Sequence, residues 1–191
     1  MHILLVDTSG DYLRLAIAND SNLLLNINYK LGRYINENLL TIIDNSLKNI
    51  KLDIADIDEY NVIKGPGSFT GIRIGIATIM GFALSFNKPF YGISLLDAYA
   101  LTLDCSEMVV IYPLRKGIGV AKYYNFDNDN FSDYKLINSD SEMTFSNKNI
   151  LYDNNFDLSK SLLNKKIVHL KGDYKPLYFL DYYSKKINYK R

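Results

Sequence analysis

Lys64-Gly-Pro-Gly-Ser-Phe-Thr-Gly-Ile-Arg-Ile-Gly75 is the stretch whose reading decides the fold. Asn61-Val-Ile63 just before it reads as the end of a buried strand and Gly65-Pro66-Gly67 as a tight turn. Ser68 or Thr70 then serves as an N-cap, offering a side-chain oxygen to the unpaired backbone donors of a helix start. The helix that follows, roughly Phe69 to Phe86, carries Arg73 as its only charge. Its apolar residues run nearly all the way round, which predicts burial on more than one side. Gly71, Gly75, Thr78, Gly81 and Ser85 form a stripe of small residues along it. Each helical glycine costs about 1 kcal/mol relative to alanine, so something must approach the stripe closely. That neighbour is either the chain's own sheet and first helix or a partner.

Outward from this segment the pattern is that of a mixed α/β domain. Ile3 to Val6, Tyr12 to Ala18 and Leu23 to Tyr29 read as three opening strands, the first two joined by a hairpin at Ser9-Gly10-Asp11 with glycine supplying a positive φ. Between Arg33 and Ile50 the residues Ile35, Leu39, Ile42, Ile43, Leu47 and Ile50 fall on one helical face. A strand near Tyr60 to Lys64, the glycine-started helix, a strand at Phe90 to Ile93 and a helix from Leu95, opened by a capping box at Ser94-Leu-Leu-Asp97, follow. Beyond them Met108 to Tyr112, Val120 to Phe126 and Phe131 to Ile137 read as strands. Asn, Asp and Ser crowd Asn125 to Asp133 and Asn138 to Asn155, which predicts turns and an irregular connection. Helical patterns return at Leu158 to Leu163 and Tyr178 to Ile187.

Composition narrows the function classes. The 191 residues are 48% apolar, enough for an ordinary core, and the net charge of +1 gives no general field for a polyanion. The 16 tyrosines, among them Tyr123-Tyr124 and Tyr182-Tyr183, lack the basic excess of an RNA-stacking surface, although Lys185-Lys186 and Lys190-Arg191 form a small basic tail. The single Cys105 rules out an internal disulfide and is expected to be a buried structural thiol. No basic-then-apolar leader opens the chain, which fits a cytoplasmic protein. The uncharged part of the second helix, Ile74 to Phe86, falls short of the roughly 20 residues needed to cross a bilayer.

The sites are weighed on the same terms. Gly65, Gly67, Ser68 and Thr70 at a helix start can hold an anion, or can simply make a close-packed turn. A nucleotide P-loop needs Gly-Lys-Ser/Thr after its glycines, whereas here Gly71 is followed by Ile72-Arg73. His2 and His169 are the only histidines and stand far apart, so no metal site is expected. No Gly-x-Ser-x-Gly elbow marks a nucleophile.

With the opening Ile3-Leu-Leu-Val-Asp7-Thr-Ser9, the Gly-Pro-Gly-Ser-Phe-Thr-Gly block resembles the signature of the bacterial TsaB (YeaZ) family, closely over residues 1 to about 100 and thinly thereafter. The resemblance implies an actin/hexokinase-like (ASKHA) fold in two tandem subdomains, 1–104 and a shortened 105–191. It implies a non-catalytic partner of the TsaD transferase in making threonylcarbamoyladenosine on tRNA, with tRNA met only through the complex. In that picture this chain holds no cofactor, ATP and metal belong to TsaD and the small ATPase TsaE, and a homodimer forms when the chain is alone. The family pairs through its first two helices, which makes Ile35, Leu39, Ile42, Gly71, Gly75 and Thr78 interface candidates, with Arg73 as a rim ion pair. Asp7, Thr8 and Ser9 fall where ASKHA enzymes place their first phosphate loop, so together with Gly65, Gly67, Ser68 and Thr70 they outline a vestigial anion site. Where relatives show Asp-x-Arg or Asp-x-Lys, this chain has Pro113-Leu-Arg115. The loss of that acid leaves Asp7 as a structural residue or turn cap. The alternatives are a small ASKHA ATPase or phosphotransferase using Asp7 and the Gly65 to Thr70 loop, and an inactive peptidase-like binding protein. At the end, Pro176-Leu-Tyr178 resembles the family's Pro-x-Tyr, without the arginine that commonly follows it.

Overall fold

The computed structural model describes residues 1–20, 22–115, 117–138 and 149–178, with Arg115 by its backbone alone. All of the predicted helix from Tyr178 to Ile187 except Tyr178 itself, with Tyr182-Tyr183, the lysine pair, Lys190-Arg191 and the Arg115 side chain, lies outside what is described.

Five strands build the first sheet: β1 (His2–Asp7), β2 (Tyr12–Asn19), β3 (Asn22–Lys30), β4 (Glu59–Ile63) and β5 (Phe90–Ile93), in the order β3-β2-β1-β4-β5. The first three run antiparallel to their neighbours, while β4 and β5 join parallel. Each parallel step needs a crossover, supplied by α1 (Ile35–Asn49) between β3 and β4 and by α2 (Phe69–Ser85) between β4 and β5. Both helices cover one face of the sheet. Leu4, Val6, Leu15 and Val62 pack there on Leu39, Ile43, Ile72, Ile76 and Ile79.

The other face is shared with the second half of the chain. Here β6 (Glu107–Arg115), β7 (Ile118–Asn125), β8 (Asn130–Phe131), β9 (Lys135–Asn138) and β10 (Asn149–Leu151) form a second sheet. α3 (Leu95–Ala100) and α4 (Leu158–Leu163) fill the space between the sheets, with Leu5, Ala16 and Ile63 on one side and Met108, Val110 and Tyr124 on the other. Residues 165–170 make a 3-10 turn, and the chain then returns to the first sheet.

Several expectations are corrected. The single strand over Phe131 to Ile137 is two short ones, because Tyr134 turns inward and its hydroxyl donates to Asp97 at 3.0 Å. Asp97 does not close a capping box: Ser94 caps its backbone N–H, but its carboxylate accepts from Lys122 at 2.8 Å and Tyr124 at 2.7 Å. β10 lies inside the stretch predicted to be irregular. Cys105 is exposed, since it sits in the turn leading into β6 and not on a strand. Gly10 is not among the positive-φ residues. Pro113 sits at a register shift, past the end of the β10 pairing, where a missing N–H costs no ladder bond.

Burial governs the tyrosines. Desolvation, reinforced by the Asp53 and Asp58 carboxylates, pushes the Tyr60 phenol up to about 12. Burial and then Asp97 raise Tyr124 and Tyr134; burial and then Asp7 raise Tyr112 and Tyr152. A phenol whose folded pKa lies above its unfolded value of 10.0 stabilises the fold fully below that pH and loses the contribution as pH rises through the folded value. In an alkaline absorbance titration these five are therefore expected to stay protonated above pH 10 until the chain unfolds. Smooth ionisation of all tyrosines near their ordinary pKa would contradict this.

Candidate functional site

Because β1 and β4 are parallel neighbours, the loops after their carboxyl ends meet. Asp7, Thr8 and Ser9 therefore come beside Gly65, Gly67 and Ser68, while Thr70 faces outward. The two loops are bonded directly to each other. Ser68 N–H donates to the Ser9 carbonyl at 2.6 Å, and Thr8 Oγ1 donates to the Gly71 carbonyl at 2.7 Å. A Cβ on Gly67 would overlap the Ser9 carbonyl, and one on Gly71 the Thr8 carbonyl. Ser68 is the N-cap of α2, its hydroxyl accepting from Gly71 N–H at 3.2 Å.

Asp7 is fully buried, and both carboxylate oxygens are engaged. Oδ1 accepts from Ser9 N–H at 2.8 Å and Ser9 Oγ at 2.6 Å, and Oδ2 takes Arg14 at 2.7 Å. The β1–β2 register sets Arg14 directly opposite Asp7. Arg14 also donates to Asn154 and lies 4.8 Å from the centre of the Phe156 ring, tying the loop before α4 to the first sheet. A magnesium nucleotide at this position would need an Asp7 carboxylate open to the ion or its waters. Here it is covered and neutralised by the chain's own arginine, so these residues do not fit that group.

Arg14 and Asn154 were not among the sequence candidates. The signal for Arg14 was the hairpin register, which counts back from the turn to pair it with Asp7. Asn154 lies 140 residues from Arg14 and leaves no local signal. Of the histidines, His2 contacts the Asp56 carbonyl at 3.1 Å and His169 is exposed in the 3-10 turn. Among the described residues no cluster of His, Cys, Asp and Glu is arranged to hold a metal, and no helix is long and apolar enough to cross a membrane.

The interface candidates divide by burial. Ile35 and Leu39 are core residues at 5% and 1% exposure, and Gly71 and Gly75 are buried on Thr8. The faces of these four are turned to the sheet. Ile42 and Thr78 are half-buried, and Arg73 is exposed. The outer side of α2 presents Thr70, Arg73, Ala77, Gly81 and Leu84, a stripe of helical spacing offset from the predicted one.

A further element closes over this end of the molecule. After the 3-10 turn, residues 171–178 run back along the edge of β5 and past the Gly65 loop. Lys171 pairs with Glu59 at 2.5 Å, Gly172 and Gly92 exchange both backbone bonds, and Tyr174 stacks on Phe90. Lys64 bonds Asp173, holding its carboxyl below the usual aspartate range, and Leu177 N–H donates to the Lys64 carbonyl. Gly65, with φ +110°, must be glycine on two counts, since a Cβ would also lie 2.9 Å from the Leu177 carbonyl. The strap ends with Tyr178 against Phe69 and Arg73.

Two sheets, with α1 and α2 crossing over the first and the second half capping its other face, place the chain in the actin-like ASKHA class. YeaZ from Pseudomonas aeruginosa superposes with a TM-score of 0.75 at 14% identity, over 93% of this chain and 99% of that one. A family model described as TsaD, tRNA N6-adenosine threonylcarbamoyltransferase, matches residues 30–115. The TsaB protein of Escherichia coli (strain K12), named for tRNA threonylcarbamoyladenosine biosynthesis, is 34% identical over 52% of this chain and 43% of its own length. Its namesake in Buchnera aphidicola is 33% identical over 51% of this chain and 46% of its own. The alignments thus span under half the length of these curated relatives. Over these spans the chain is similar in sequence to the TsaB proteins, and it shares the fold of YeaZ.

Proposed function

We propose that this chain is a non-catalytic, partner-binding subunit in tRNA N6-threonylcarbamoyladenosine biosynthesis. It docks a TsaD-type transferase and contributes an interface, not a reacting group. The observation that carries the non-catalytic part is Asp7: the one acid at the first phosphate-loop position is buried, paired with Arg14 and bonded to Ser9. The names of the curated relatives support the pathway. For docking, the outer side of α2 with Arg73 and the partly exposed edge of α1 at Ile42 supply the surface, and alone the same surface pairs two copies. Nucleotide and metal reside on the TsaD-type transferase and a TsaE-type ATPase. The complex works in the cytoplasm, where its tRNA substrate is, and touches tRNA chiefly through the transferase.

The purified chain mixed with its own organism's TsaD-type transferase is expected to form a one-to-one heterodimer by light scattering, with and without ATP and Mg²⁺. The isolated chain is expected to show no nucleotide turnover. No complex under any condition, or ATP hydrolysis abolished by Asp7→Asn, would overturn this reading in favour of a small ASKHA ATPase.

A further inference from the structure

Arg73 is the only charge on α2, and it stands on the exposed side of the helix. Its guanidinium carbon lies 3.7 Å from the centre of the Phe69 ring, and Nε donates to the Tyr178 hydroxyl at 3.2 Å. The Tyr178 ring packs against Phe69 with centroids 4.9 Å apart. A surface arginine ordinarily loses much of its binding energy to ordering its long side chain. Here one π face and Nε are already held, and among the described residues neither Nη has a hydrogen-bond partner, which leaves an oriented pair of donors. Among the described residues none makes an ion pair with Arg73. Its neighbours along the helix face, Thr70 and Ala77, are too short to screen it.

We infer that Arg73 is a preorganised anchor for a single carboxylate on the docking partner, and that Tyr178, delivered by the strap 171–178, is its positioning residue. The inference rests on the reading of α2 as the docking side and gives that side its chemistry. A carboxylate suits the site better than a nucleic-acid phosphate. Two parallel donors with one charge match a single Asp or Glu side chain, whereas polyanion sites gather several cations, and no second one stands on this helix. The strap also accounts for how a residue of the second half acts on a helix of the first: Lys171, Gly172, Asp173, Tyr174 and Leu177 each hold it to β4, β5 or the loop between β4 and α2.

Calorimetric titration of the chain into its own organism's TsaD-type transferase tests this. Arg73→Ala and Arg73→Lys are each expected to weaken binding about tenfold or more, because lysine cannot reproduce the planar fork. The affinity of the unaltered chain should fall more steeply with salt than that of Arg73→Ala. Tyr178→Phe keeps the ring and the packing but removes the Nε acceptor, and is expected to weaken binding about threefold. In the Arg73→Ala background it should have no effect, which a merely structural tyrosine would not show. If the unaltered chain binds but these variants bind equally well, the Arg73 assignment falls and the proposed function stands. An equal Tyr178→Phe loss in both backgrounds overturns the positioning role. Loss of tRNA binding with transferase binding intact overturns the carboxylate. A chain that does not bind the transferase at all overturns both readings.

Discussion

Arg14→Ala is expected to destabilise the chain by about 3–5 kcal/mol, the usual cost of removing one partner from a buried ion pair. Native domains hold only about 5–15 kcal/mol in total, so urea denaturation should show a large fall in midpoint. Asp7 is 0% exposed and Arg14 1%, so the carboxylate left behind stands away from bulk water with no cation beside it. Asp7 would retain only its two Ser9 donors. The loss is compounded at the other end of the side chain, where Asn154 and Phe156 are held by the same guanidinium. A paired replacement, Asp7→Leu with Arg14→Met, removes both charges together and is expected to be far milder, since no uncompensated charge is left behind. If Arg14→Ala cost no more than about 1 kcal/mol, as an exposed pair would, the buried pair would not be what joins the two halves.

Several elements can be read closely from sequence because their periodicity is strong: in the first half the pattern of α2 starts at Phe69 and the helix ends at Ser85, and in the second half α4 occupies the residues its pattern predicts. What could not be read is phase. On β2 the alternation of Tyr12, Arg14 and Ala16 with Leu13, Leu15 and Ile17 suggests one wet face, yet the strand is buried on both sides and Arg14 faces the second half. On α2 an almost all-round apolar surface gives no hydrophobic direction, so the small residues could not be assigned to the sheet or to a partner. Long-range contacts were equally silent. Tyr134 breaks its strand to reach Asp97, and the strap meets β4 and α2 across more than a hundred residues, as with Lys171 and Glu59. Pro176-Leu-Tyr178 stands out in the sequence as a motif, but only the fold shows that its tyrosine lands on Arg73.

The phase of α2 makes Gly75→Leu and Gly81→Leu opposite experiments on residues that look alike in sequence. A Cβ at Gly75 would overlap Thr8 Oγ1 and lie 3.4 Å from Val62 Cγ2, and Thr8 cannot swing away without breaking its 2.7 Å bond to Gly71. Overpacking of this kind typically costs about 1–3 kcal/mol, and more where backbone must move. Gly75→Leu is therefore expected to lower the thermal midpoint sharply or to leave the chain insoluble, and any loss of partner binding would follow from unfolding. At Gly81 a Cβ meets nothing within 4 Å. Gly81→Ala should raise stability by about 1 kcal/mol through helix propensity alone. Gly81→Leu, with nearly the same gain in helix propensity, should leave the midpoint at or above that of the unaltered chain while weakening a transferase that packs closely on the outer stripe. Thermal unfolding and transferase titration, run on both leucine variants, separate a glycine that the fold requires from one that the helix could do without. A stable Gly75→Leu would mean that α2 is rotated from the position described, and unimpaired docking by Gly81→Leu would move the partner off the outer face of α2.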